Sequence, residues 1–201
     1  MAQVDTDICN LALSHVGSST VLQSMNETFK EAQQCKLHYD QCRREMLQRM
    51  NPSFAHQTVA LSLQGQPPST WRFSYAYPAG CLRILKVYNP DLFDRNKSAL
   101  PPYKLATSAN GEQRNILSDQ EFAVADFIAD VTSVSMFDYQ FVTALSYLLA
   151  ARIAPALVGG DAVDGLLNRH EFYLMQSTGS SKNESNEDLW SWRSEFERAR
   201  D

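Results

Sequence analysis

The hydrophobic period of this chain changes twice, and those changes restrict its fold more than any other feature. Ile8, Leu11, Ala12, His15 and Val16 fall at helical spacing behind Asp7, a capping residue, and Gly17 ends the run. Ser24 and Glu27 form a capping-box pattern before Phe29, Ala32, Cys35, Tyr39, Cys42, Met46 and Met50, which recur every three or four residues until Pro52. Beyond Phe54 the period falls to two. His56–Leu63, Trp71–Tyr77, Leu82–Tyr88 and Phe122–Ala129 read as strands, and Tyr103–Ala106, Asn110-Gly111 and Ile116-Leu117 read as a hairpin. Helical spacing returns at Phe137, Phe141, Ala144, Leu145, Leu148, Leu149 and Ile153. Gly159-Gly160 breaks it, and Asp161 can cap a last helix through Val163, Leu166, Leu167, His170 and Leu174.

The expected fold is therefore α+β, a helical core from N- and C-terminal helices with an inserted small antiparallel β-domain. The boundaries are an N-terminal helical hairpin over 1–53, a β-rich insertion over 54–134, helices completing the core over 135–176, and a linker and C-terminal docking tail over 177–201. At 201 residues the chain is long enough to bury a real core. It holds no apolar run of the roughly eighteen residues that a membrane span needs, and no charged-then-apolar leader. Four scattered cysteines do not make a disulfide framework, so reduced thiols in a cytosol are expected. A net charge of −5 with dispersed Lys and Arg argues against a surface that grips nucleic acid.

Candidate chemistry is sparse. Cys35, His38 and Cys42 share one side of the second helix, and Cys9 or His15 could complete a metal set. Their spacing lacks the knuckle of a zinc site, and both Cys lie in the apolar stripe, so core packing is the expectation. No Cys sits where its thiol would be activated. Gly159-Gly160 precedes Asp161 and not Lys, so it is no phosphate loop, and no Gly-x-Ser-x-Gly elbow or His-Glu-x-x-His pattern occurs. Glu27, Glu31, Asp40 and Glu45 could in principle supply a glycosidase pair, but they fall largely off the apolar stripe. Trp71, Phe73, Tyr75 and Tyr77 could stack bases or sugars, but alternate aromatics on a strand are more often the core of a small sheet, and that is the expectation. Arg43 and Arg83 suit either a buried network or a subunit contact. No cofactor is expected.

The lettering itself carries a resemblance. Asn10-Leu11-Ala12-Leu13-Ser14-His15-Val16-Gly17 is followed by Ala32, Cys35, His38, Tyr39, Arg43 and Leu47, and then by Pro52-Ser53-Phe54-Ala55. With Tyr75-Ala76-Tyr77-Pro78 and Cys81-Leu82-Arg83, this resembles the tail tubular protein A family, the adaptors or head-to-tail connectors of short-tailed bacteriophages. The family commonly has Pro-Trp-x-Phe-Ala where this chain has the shorter Pro52-Ser53-Phe54-Ala55. The resemblance implies a structural virion protein without enzymatic activity, made in the host bacterial cytoplasm. It implies a homo-oligomeric ring, twelve subunits in the family, between the portal protein and the tail nozzle protein. DNA would pass through its lumen without specific binding, and no membrane is involved. Asn10, Leu13, Gly17, Cys35, Tyr39, Arg43 and Phe54 would be helical-core residues. Alternatives are a tail-associated peptidoglycan hydrolase and a head-completion (stopper) protein of a long-tailed phage.

The chain end differs from the rest. After the polar stretch Gly179–Asn186 come Leu189, Trp190, Trp192, Arg193 and Phe196. Read as a helix, Trp192 and Phe196 are i, i+4 neighbours with Leu189 one turn earlier. Such a segment suits docking on a neighbouring subunit, on the portal, or on the chain's own core.

Overall fold

The computed structural model describes residues 5–92, 100–108 and 111–184, the last eight of them as backbone. The fold is α+β, with a β-unit inserted between the second and third helices. The chain divides into a helical unit, which runs up to Phe54 and resumes at Val131, and a sheet unit over Ala55–Asp130.

In the helical unit, α1 spans Asp5–His15 and buries Ile8, Cys9, Ala12 and Leu13. Asp5 and Asp7 both lie in its first turn, where carboxylates face the positive end of the helix dipole. At its other end the Ser18 N–H donates to Leu13 O and the Gly17 N–H to Ser14 O, with Gly17 at φ +77°. That is a Schellman ending, and it needs the left-handed residue that glycine provides.

Helix α2 spans Lys30–Met50 and buries Ala32, Cys35, Tyr39, Cys42, Arg43, Met46, Leu47 and Met50. It begins five residues later than the Ser24 capping pattern predicts, after Phe29, which makes no side-chain cap. The box nevertheless forms hydrogen bonds: the Ser24 and Gln23 N–H groups both donate to Glu27 Oε1. They close a turn in the connecting loop, because a reciprocal cap satisfies amides whether or not a helix follows.

Helix α3 spans Tyr139–Leu157 and is the hub of the unit, with α1, α2 and α4 all packed on it. The Asp138 carboxylate caps it, accepting from the Phe141 N–H at 2.6 Å. Phe137, expected in the helix, precedes the cap. By length and composition α3 could cross a membrane, but twelve of its residues are buried inside the protein, and a central helix surrounded by others is apolar on every side. The backbones of α1 and α2 come close at few points, and both helices pack along α3.

Helix α4 spans Val163–Glu184 and turns Leu166 and His170 inward. Asp161 does not cap it; it lies in the 3-10 turn Gly160–Ala162 that leads in. Residues 177–184, expected as linker, continue α4 in their backbone. They contain no proline, and extending an established helix costs far less than starting one. The rest of the expected tail, with Leu189, Trp190, Trp192, Arg193 and Phe196, lies outside the described residues.

The sheet unit contains two three-stranded antiparallel sheets. Strands β1 (His56–Ala60), β6 (Val124–Ala129) and β3 (Cys81–Tyr88) lie in the order β1-β6-β3. Strands β2 (Phe73–Ala76), β5 (Arg114–Ser118) and β4 (Tyr103–Thr107) lie in the order β2-β5-β4. The expected first strand, His56–Leu63, stops at Ala60. Leu61 bonds to Ala123 beside one sheet, and Ser62 and Gln64 then bond to Ala76 and Ser74 of the other. The expected hairpin is β4 with β5, paired from Tyr103↔Ser118 to Thr107↔Arg114.

Candidate functional site

The residues expected to build the helical core, Asn10, Leu13, Gly17, Cys35, Tyr39, Arg43 and Phe54, all fall in the helical unit, and each has a packing or hydrogen-bonding role. Asn10 faces the loop after α1. Its Nδ2 donates to Leu22 O at 3.0 Å and its Oδ1 accepts from the Leu22 N–H at 2.8 Å. This two-pronged clamp lets Leu22 sit buried without helix or sheet around it. Leu13 is wholly buried and Gly17 ends the helix.

Tyr39 joins α2 to α1 by donating from its hydroxyl to Asp5 Oδ1 at 2.9 Å, and burial pushes its ionisation well above the usual phenol range. Arg43 is 1% exposed and donates to Val131 O at 2.6 Å, with Asp40 at 3.4 Å. It thus anchors the point where the chain re-enters the helical unit. Phe54 packs edge-on to Phe141 at 5.3 Å and tilted to Phe137 at 5.6 Å. Phe137 and Phe141 in turn pack on each other at 4.8 Å, beside the buried Pro52.

The cysteines are core residues. Cys9, Cys35 and Cys42 are free and buried. Cys9 donates from its thiol to the Met25 sulfur at 3.4 Å. Its contact with Cys35 and its burial hold the Cys9 thiol far above the usual range, and burial pushes Cys42 up to about 12. Cys9 and Cys42 are therefore poor nucleophiles and poor ligands, since both roles need the thiolate, whereas the hydrogen bond with Cys9 lowers the pKa of Cys35. Among the described residues no three His, Cys, Asp or Glu side chains come together as a metal ion would require.

The four candidate carboxylates have other partners. Glu27 closes the turn described above, Glu31 accepts from Thr20, Asp40 faces Arg43, and Glu45 lies 3.1 Å from Arg152 and 3.6 Å from Arg49. Of the aromatic strand only Tyr75 is buried, its hydroxyl donating to Gln120 O at 2.6 Å. Arg72 covers the Phe73 ring at 5.6 Å and Arg114 the Tyr77 ring at 5.7 Å, so neither ring offers a bare stacking face on that side. Cys81 closes a turn on Pro78 through Gly80, at φ +68°.

Sequence reasoning missed a polar cluster around α4. His170 is wholly buried, with Nδ1 3.0 Å from Ala144 O and Nε2 3.2 Å from an Arg49 nitrogen. A carbonyl only accepts and a guanidinium only donates, so the proton sits on Nδ1 and Nε2 accepts. Arg49 also meets Glu171 at 2.7 Å, which extends the cluster from Arg152 through Glu45 and Arg49 to α4. The Glu45–Arg49 spacing was the one local signal. His15 was read as part of an apolar stripe and as a possible member of a metal set. It bonds Ser146 at 3.1 Å and stacks on Tyr147 at 3.9 Å, and Tyr147 stacks on Tyr173.

No protein-family model matches the chain, and no curated protein matches it.

Proposed function

We propose that this chain is a structural virion protein, the adaptor-ring subunit that joins a portal to a tail nozzle and continues the DNA channel. The carrying observation is that Asn10, Leu13, Gly17, Cys35, Tyr39, Arg43 and Phe54, the lettering shared with tail tubular protein A, all serve one helical core. An architectural protein is selected for such a scaffold and for its surfaces. The candidate catalytic groups lend no weight to an enzyme: the thiols are buried and the carboxylates are engaged by cations, amides or a hydroxyl.

In this reading the ring has about twelve copies by the family resemblance, retains packaged genome and opens its path at ejection. It occupies the head-tail junction of the virion. A net charge of −5 suits a lumen past which DNA moves without sticking. In dilute solution the free subunit stays mostly monomeric, because each lateral contact is weak until a template or a high concentration brings many of them together. The segment with Leu189, Trp190, Trp192, Arg193 and Phe196 serves as a docking piece.

Electron microscopy of the purified protein mixed with its portal tests the reading. A ring capping the portal is expected; particles with bare portals would overturn it.

A further inference from the structure

We propose that β1 is an acceptor edge, to which the segment Leu189–Phe196 of a neighbouring copy adds as a further strand. The inference rests on the ring reading and says how one subunit would hold the next.

The sheets have four edges, and three of them are guarded. The outer side of β2 is occupied by the Ser62–Gln64 segment, through Ala76 N–H to Ser62 O and Gln64 N–H to Ser74 O, both at 2.8 Å. Strand β3 slips register against β6 between Cys81 and Arg83 and again between Ile84 and Lys86, and its Ile84 carbonyl accepts from the Tyr103 hydroxyl. Strand β4 follows Pro101-Pro102 and carries Lys104. Bulges, prolines, lysines and covering segments are the usual ways in which an edge is kept from pairing.

Among the described residues, strand β1 has none of these devices. His56–Ala60 pairs with β6 in unbroken register and contains no Lys, no Pro and no bulge. All five of its residues are exposed. Gln57 and Val59 pair with Phe127 and Ala125, which are buried, so the apolar side of the sheet runs out to Val59, 40% exposed, at the edge.

The chain continues for seventeen residues beyond Glu184, and part of that length has the matching pattern. In an extended segment Trp190, Trp192, Ser194 and Phe196 share one face, while Leu189, Ser191, Arg193 and Glu195 take the other. Three aromatics at period two would prolong the apolar side beyond Val59, and the β1 backbone would supply the ladder. This is strand addition, in which main-chain bonds give affinity and alternate side chains give specificity. A contact in which the tail of one copy meets the edge of the next is heterologous, the kind that closes rings.

Hydrogen exchange of residues 56–60 in the full-length protein tests the inference. One variant, Trp190→Ser/Trp192→Ser/Phe196→Ser, disables the tail. A second, Val59→Lys, charges the edge while leaving the tail intact. In the parent, exchange in β1 should slow at least about tenfold as concentration rises. Each variant alone should lose that effect, with α3 protection unchanged as the control for folding. Mixing the two should restore slow exchange to β1 of the tail variant. Equal exchange in the parent and the tail variant at all concentrations would overturn the proposal. So would protection that survives dilution and is not restored by mixing, since the donor would then be the chain's own tail. Portal rings formed with β1 unprotected would overturn this inference and leave the adaptor reading standing; absence of parent rings would overturn that reading.

Discussion

The helical and sheet units solve the problem of burial in different ways. Of the twelve largest wholly buried side chains, nine lie in the helical unit: Ile8, Leu13, Arg43, Met46, Leu47, Met50, Phe141, Leu145 and Leu148. Tyr75, Ile116 and Ile128 are the sheet unit's share. One helix, α3, lets three others bury their stripes at once, whereas each sheet has only three strands and one of those, β1, buries nothing. The helical unit therefore has the means to fold on its own strength. The sheet unit is the marginal partner.

The contrast is broken most directly by truncating one core residue on each side. Phe141→Ala should cost roughly 3–5 kcal/mol, seen in denaturant unfolding followed by helical signal. Ile116→Ala, also wholly buried, should cost roughly 2–4 kcal/mol, and native-state hydrogen exchange should place its effect on β2, β4 and β5. If α3 loses protection in parallel in Ile116→Ala, the two units unfold as one and the comparison fails.

Arg43 sharpens the claim about the helical unit, because its anchoring is polar in an apolar setting. Arg43→Met keeps length and bulk but leaves the Val131 carbonyl without that donor. A loss of about 2–3 kcal/mol is expected at neutral pH. A neutral or stabilised variant in thermal unfolding would mean that the guanidinium serves assembly and not the fold.

Gly17→Ala should cost about 1–2 kcal/mol through backbone strain alone. The space around a Cβ at Gly17 is open, so no clash contributes, and Gly17→Asn should recover part of the loss. Equal stability of the Ala and Gly proteins would show that the α1 ending can relax. Cys42→Ala should cost less, about 1 kcal/mol, and a chelator should leave the melting temperature where it was. A clear drop on adding EDTA would restore the metal reading of Cys35, His38 and Cys42.

The outline of both units was legible because the period of apolar residues reports directly on the face that an element buries. Tyr39, Cys35 and Cys42 were placed in the core on that ground alone. Element ends were harder. The Ser24–Glu27 box has the right chemistry for a helix start and makes its bonds five residues early, since capping groups answer to the nearest free amides. His170 and Arg49 illustrate what a period cannot carry. Their contact joins residues 121 apart in the chain, and only the tertiary fold brings a donor to that ring nitrogen. The open edge of β1 was also invisible, because the alternation in His56–Leu63 promises one buried face and the structure buries none.

The smallest effect concerns His15 and the stack at the α1–α3 contact. Burial, and then the charge of Arg169, lower its pKa below the ordinary histidine value. The folded state therefore binds this proton less readily than the unfolded chain does. Stability from His15 is fully present above the unfolded value of about 6.5 and is lost as pH falls from there through the folded value. Carboxylates titrate at lower pH in both proteins, so the useful quantity is the difference between the parent and His15→Gln. That difference should favour the parent near pH 8, by about 1 kcal/mol for the ring stack on Tyr147, and should shrink as pH falls below 6.5. Parallel stability curves for the two proteins between pH 8 and pH 5 would show that protonation does not disturb the stack, and would remove His15 from the polar contacts that hold α1 on α3.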